Sequence, residues 1–127
     1  MLHLDNNIRI CKRKFDYDKE YSPVPGMMGT EYVGSDRYAV VCVTKDSPKR
    51  ITIWRLYDLD EDNIKDCDAI YTDDEEVMFL DFNKYHSRRY EVEQWSLRKN
   101  GKWREMSSSS SSSIHWGIAN PYRDPDF

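Results

Sequence analysis

The chain has 127 residues, 23 acidic against 19 basic, a net charge of −4, and nine Tyr, four Trp and four Phe. That length sets one domain, the aromatic content excludes a chain disordered throughout, and the negative balance excludes generic affinity for nucleic acid or anionic membranes. No stretch is long and apolar enough to span a bilayer, and the opening "MLHLDNNIRICKRK" turns charged too soon for a secretory signal.

Residues 8–15 (IRICKRKF) read as an edge strand whose lysines guard against edge-to-edge pairing. Residues 16–36 carry Pro23, Pro25, Gly26, Gly29 and Gly34 and read as a long loop, a feature usually mobile or functional in a small domain. Residues 37–44 (RYAVVCVT) are apolar on both faces, as a central strand is. A turn at KDSPK returns the chain through residues 50–57 (RITIWRLY) as an antiparallel partner.

Residues 77–82 have the composition of a strand. The surrounding charges favour a helix instead. Thr72-x-x-Glu75 is a capping box, Asp73, Asp74, Glu75 and Glu76 fill the first turn, and Lys84, His86, Arg88 and Arg89 follow at the far end. This complements the helix dipole and predicts a helix over residues 73–86. Met78, Phe82 and Tyr85 would share one face, with Val77 and Leu80 opposite, so the helix would be buried on two sides.

Residues 88–99 form the next expected strand. Tyr90 and Val92 are out of phase with Trp95 and Leu97, so either a bulge near Glu93–Gln94 aligns all four or the strand changes faces midway. Asn100-Gly101 is a strong two-residue hairpin signal, pairing Leu97 with Arg104, Trp95 with Met106 and Arg98 with Trp103. A run of seven serines, a flexible tether, leads to IHWGI, where Ile114, Trp116 and Ile118 alternate as one face of a strand; Phe127 ends the chain. This segment reads as an arm that docks on the chain's own helix or on another copy.

The order predicts an α+β fold: an antiparallel sheet of about five strands (two hairpins plus an N-terminal strand) with one packed helix and a C-terminal arm. The divisions are a single domain over 1–106, a poly-Ser linker over 107–113 and a docking tail over 114–127.

Cys11, Cys42 and Cys67 are odd in number and widely spaced, which predicts reduced thiols in a bacterial or infected-host cytoplasm. Asp58, Asp60 and Asp62 fit the first ligands of a calcium loop, but Asn63 replaces the required glycine and Ala69 the bidentate glutamate. His3, His86 and His115 stand apart from one another, and no phosphate-binding or nucleophile motif occurs. The expectation is therefore a protein without catalytic residues, metal or cofactor.

Charge is blocked along the chain. From Asp58 to Asp81 there are eleven carboxylates and one lysine, and from Lys84 to Arg104 seven basic residues. The acidic residues Asp60, Glu61, Asp62, Asp73, Asp74, Glu75 and Glu76 are candidate contacts for a protein partner. The expected function is a protein-binding inhibitor, of the kind a phage or mobile element uses to occupy a host protein. Two alternatives stand beside it. Trp103 among Arg98, Lys99, Lys102 and Arg104 has the residue types of a nucleic-acid-binding hairpin. Exchange of the tail, through Ile114, Trp116, Ile118 and Phe127, would build an oligomer.

Overall fold

The computed structural model describes residues 21–64, 69–71, 77–85, 89–106 and 112–123. Among them the fold is nearly all sheet and holds no α-helix. The strands are β1 (Met28–Val33), β2 (Asp36–Ser47), β3 (Arg50–Leu56), β4 (Ala69–Tyr71), β5 (Met78–Leu80), β6 (Tyr90–Leu97), β7 (Trp103–Glu105) and β8 (Ser113–Trp116). Six of them form an antiparallel sheet in the order β7-β6-β3-β2-β1-β8. This sheet curls into a nearly closed barrel whose seam lies between β7 and β8. Strands β4 and β5 pair separately.

The hairpin expected over 37–57 forms as β2 and β3, with Val41 opposite Trp54 and Cys42 opposite Ile53. Ala39, Val40, Val41 and Cys42 are all fully buried because both faces of the sheet are covered. Val40, Cys42, Ile51, Ile53, Trp95 and Trp116 fill the inside of the barrel. Met28, Ala39, Val41, Leu56, Leu59 and Ile64 form a second core on the outside.

A bulge in β2 shapes the inner face. One extra residue stands between Cys42 and Thr44, so Thr44 lies opposite Thr52 and Lys45 opposite the fully buried Ile51. Val43 packs on the outer core. Plain alternation would turn Thr44 inward, and the extra residue turns Lys45 inward instead. Asp46 fastens this segment by accepting hydrogen bonds from Thr44 Oγ1 at 2.8 Å and Thr52 Oγ1 at 2.7 Å. The Thr52 and Thr44 hydroxyls hold its carboxyl below the usual range.

The α+β expectation is corrected at residues 77–85. Val77 and Phe79 pack into the inner core, while Met78 and Leu80 pack into the outer one. Successive residues serve opposite sides, which is the period of a strand and not of a helix. The Met78 N–H donates to the Gly117 carbonyl at 2.7 Å and the Leu80 N–H to the Gly26 carbonyl at 2.9 Å, fixing β5 between two distant segments. Residues 81–85 then turn, with the N–H groups of Lys84 and Tyr85 both donating to the Asp81 carbonyl. The capping box at 72–75, and residues 86–88, lie outside the described residues, as does the strand expected at 8–15.

The Pro/Gly-rich stretch is corrected as well, because it contains β1. Gly29 there is no strand breaker. A Cβ at this position would sit 2.9 Å from the His115 carbonyl oxygen and 2.9 Å from Trp116 Cε3, so glycine lets β8 lie close against β1. Of the two readings of β6, the structure shows the one without a bulge, since pairing with β3 runs unbroken from Leu56–Tyr90 to Arg50–Ser96. Tyr90 and Val92 face outward, and Glu93 and Trp95 face inward. The β6–β7 register is one residue off expectation, with Leu97 opposite Trp103 and Trp95 opposite Glu105. The Gly101 N–H donates to the Arg98 carbonyl and the Arg98 N–H to the Lys102 carbonyl, with Gly101 at φ +81°. That is a type I turn followed by a glycine bulge, a three-residue loop in place of the two-residue one.

Candidate functional site

Three places on the barrel concentrate chemistry. The first is the end of the inner face where β1, β3 and β6 bring Glu31, Arg55 and Glu93 together. Arg55 Nε and Nη2 donate to the two Glu31 oxygens at 2.9 and 2.6 Å, and Nη2 lies 3.0 Å from Glu93 Oε2. Glu31 is 0% and Glu93 5% exposed. Burial opposes the Arg55 charge, but the Glu31 and Tyr57 hydrogen bonds and the Glu93 charge outweigh it and raise its pKa. Glu93 receives only what the guanidinium leaves over. Burial and the Glu31 charge push its carboxyl up to about 7, against the pull of Arg55 and of the Trp95 N–H at 3.1 Å. The Tyr57 hydroxyl donates to Glu91 at 2.6 Å and accepts from Arg55 Nη1 at 3.3 Å; burial first, then the Glu91 bond, raises its pKa. Tyr38 covers this end, with the guanidinium of Arg55 4.8 Å and that of Arg123 3.8 Å from its ring centroid.

The second place is the seam. Where β7 and β8 part, a cleft of about 330 Å³ opens at the opposite end of the inner face, near the β2–β3 and β6–β7 turns. Trp116 is buried in its lining, Tyr21, Trp103 and Ile114 are half-buried, and Lys45 and Lys102 stand exposed at its rim. Lys45 is there because of the β2 bulge, and Lys102 because of the glycine turn that precedes β7. The indole N–H of Trp116 is buried and meets no acceptor among the described residues, a deficit of ~1–3 kcal/mol.

The third place is the outer face of β3 and β6. Trp54 stacks on Tyr90 with centroids 4.4 Å apart and meets the Phe82 ring edge-on at 5.9 Å. Val92 lies directly opposite Trp54 on the neighbouring strand. Phe82 is 39%, Tyr90 45% and Val92 56% exposed, an apolar cluster open to solvent. Its rim carries both signs of charge. Lys84 and Arg89 are exposed near Phe82 and Tyr90 in sequence. The acidic turn over residues 58–64 is tied to the 81–85 turn by the Tyr85 hydroxyl, which donates to Asp58 Oδ1 at 2.6 Å.

The residues singled out from sequence distribute unevenly over these places. Glu61 and Asp62 are exposed on the acidic turn. Asp60 is engaged in building that turn, accepting from the N–H groups of Asp62 at 2.9 Å and Asn63 at 3.0 Å. Asp73, Asp74, Glu75, Glu76 and Phe127 lie outside the described residues. Arg98 and Lys99 are exposed at the β6–β7 turn; Trp103 and Lys102 line the seam cleft, and Arg104, the neighbour of Trp103 in β7, lies on the other face of the sheet.

Within the single chain the tail pairs with β1 and not with a helix, with Gly29 opposite Trp116 and Glu31 opposite Ile114. Its three apolar residues do not share a face. Ile114 and Trp116 join the inner core, whereas Ile118 packs on the outer one, and the switch falls at Gly117, whose φ is +123°. Beyond it, buried Thr30 donates to the Ile118 carbonyl at 2.8 Å and accepts from the Asn120 N–H at 2.9 Å. Arg37 and Tyr122 exchange both backbone hydrogen bonds.

Glu31, Arg55, Glu93, Tyr21, Lys45 and the Trp54 cluster were not singled out from sequence. A glutamate at the inward phase of β6, beside Trp95, was the available signal for Glu93. For Lys45 there was none, because a bulge leaves no local mark. No group of three or more His, Cys, Asp or Glu that would hold a metal occurs among the described residues, nor does any helix long and apolar enough to cross a membrane. The chain matches no protein-family profile, no curated protein and no solved structure.

Proposed function

We propose that the protein is a non-catalytic binding protein that grips a protein partner through the outer face of β3 and β6. The observation that carries this reading is the exposed cluster of Trp54, Phe82, Tyr90 and Val92, three of whose members are more than a third exposed. Aromatic clusters of this kind anchor protein interfaces. The rim argues for a protein over a polyanion: Glu61 and Asp62 would repel phosphates, whereas a protein surface can offer charges of both signs. The half-buried Trp103 packs against the inner core, so its ring does not lie open beside Arg104 as a base-stacking platform would. The buried reduced thiol of Cys42 suits a cytoplasmic setting, and occupation of a host protein by a phage or mobile-element product is one role such a surface serves.

The test is affinity capture from the native host, followed by reconstitution with the purified partner. Phe82→Ser, Tyr90→Ser and Val92→Ser combined should weaken reconstituted binding by at least about tenfold, as loss of hot-spot residues does, while circular dichroism and melting stay close to wild type. A partner that binds the triple variant as tightly as wild type overturns this surface. Recovery of nucleic acid alone overturns the protein-binding reading.

A further inference from the structure

The seam cleft is independent of the outer aromatic face, and it combines aromatic side chains with exposed lysines. We infer that it binds a small molecule joining one planar aromatic ring to one anionic group, a carboxylate or a phosphate. Its volume of about 330 Å³ falls at the lower end of the ~300–1,000 Å³ typical of small-molecule sites. That is room for a single ring system with a short substituent, and too little for a folded chain. Tyr21, Trp103 and Trp116 supply three aromatic walls, an environment in which a planar ring gains by stacking. Lys45 and Lys102 stand exposed at the mouth. An anionic group left at the rim therefore meets the positive charge of Lys45, with Lys102 beside it, while its ring lies among the aromatic walls.

The cations are placed by the fold and not scattered. Lys45 reaches the inner side through the β2 bulge, opposite Ile51. Lys102 follows Gly101, whose φ of +81° makes the turn into β7. The walls come from Tyr21, which precedes β1, and from β7 and β8, the two edge strands, which meet where the sheet stops short of closing.

Tryptophan fluorescence of the full chain, titrated with adenosine monophosphate, indole-3-carboxylate, adenosine, inorganic phosphate and a single-stranded DNA decamer, tests this. A saturable change with adenosine monophosphate or indole-3-carboxylate, and at least about fivefold weaker binding of adenosine and of phosphate, supports the inference; a rim ion pair contributes up to about that factor. The monophosphate and the carboxylate distinguish which anion the site prefers. Lys45→Gln, a change at an exposed side chain, should weaken the preferred probe roughly fivefold, and Trp103→Ala should abolish saturation. Equal binding of adenosine and its monophosphate, unchanged affinity in Lys45→Gln, or no saturable response to either ring-anion probe overturns it. A decamer that binds while both small probes stay silent overturns it in favour of a nucleic-acid strand.

Discussion

Among the described residues, Glu93 is a buried carboxyl through which pH reaches the stability of this fold. Its carboxyl rises from an ordinary value of 4.5 to about 7, chiefly through burial and then through the Glu31 charge. Below 4.5 it is protonated whether the chain is folded or not. As pH rises from there, the unfolded chain releases its proton first and the folded state lags, so the folded state loses ground until about 7 and no further above it. This group alone should lower stability by ~3 kcal/mol between pH 4.5 and 8. Urea denaturation of wild type and Glu93→Gln at those two pH values checks the sign, because the stability of the variant relative to wild type should improve by about that amount at the higher pH. No change in the difference would mean that the pull of Arg55 cancels the effect of burial, so that Glu93 releases its proton at the same pH in the folded chain as in the unfolded one. Arg55→Ala tests the other half of the cluster. It leaves two buried carboxylates, Glu31 and Glu93, without their cation, and should destabilise by ~3–5 kcal/mol at neutral pH, a loss that lessens at pH 5, where Glu93 is protonated.

At the scale of elements, β8 is an integral strand of the sheet and not an accessory arm. It pairs along β1, inserts Trp116 into the inner core at 3% exposure and supplies the Gly117 carbonyl that holds β5. Trp116→Ala should therefore cost ~3–5 kcal/mol, and truncation after Met106 should abolish the cooperative urea transition. A truncated chain that still unfolds cooperatively would show that the other five strands of the large sheet, with the β4–β5 pair, are self-sufficient. The approach of β8 depends on Gly29. Gly29→Val places side-chain atoms where Trp116 and the His115 carbonyl already lie, and a loss of ~1–3 kcal/mol by the same measurement is expected. In sequence, the serine run stands between β7 and β8, the two strands that flank the seam.

For the whole molecule, two cores share one sheet, and this sets how tightly the interior is sealed. Cys42 lies fully buried in the middle of β2, and burial pushes its thiol up to about 11. In a Cys11→Ser/Cys67→Ser background, modification by an aromatic disulfide reagent at pH 8 should proceed only as fast as the chain opens, and urea should accelerate it in step with unfolding. Rapid labelling of the native chain would mean that the seam admits solvent as far as β2.

What the sequence by itself determined is local. The apolar run at 37–44, the hairpin with 50–57 and a turn at Asn100–Gly101 are written in neighbouring residues, and all three occur. The tertiary structure decided the rest, because each remaining outcome depends on what lies across the sheet. The charges around residues 73–89 complement a helix, yet two separate cores take alternate residues of 77–80, and only a strand faces both. Glu93 disrupts the apolar phase of β6 until Arg55 and Glu31 appear beside it from other strands. Lys45 turns inward through an insertion visible only against β3, and Ile114, Trp116 and Ile118 divide between two faces because Gly117 reverses the chain. Side-chain periodicity reports that a residue alternates; which side is dry is settled by segments far away in the chain.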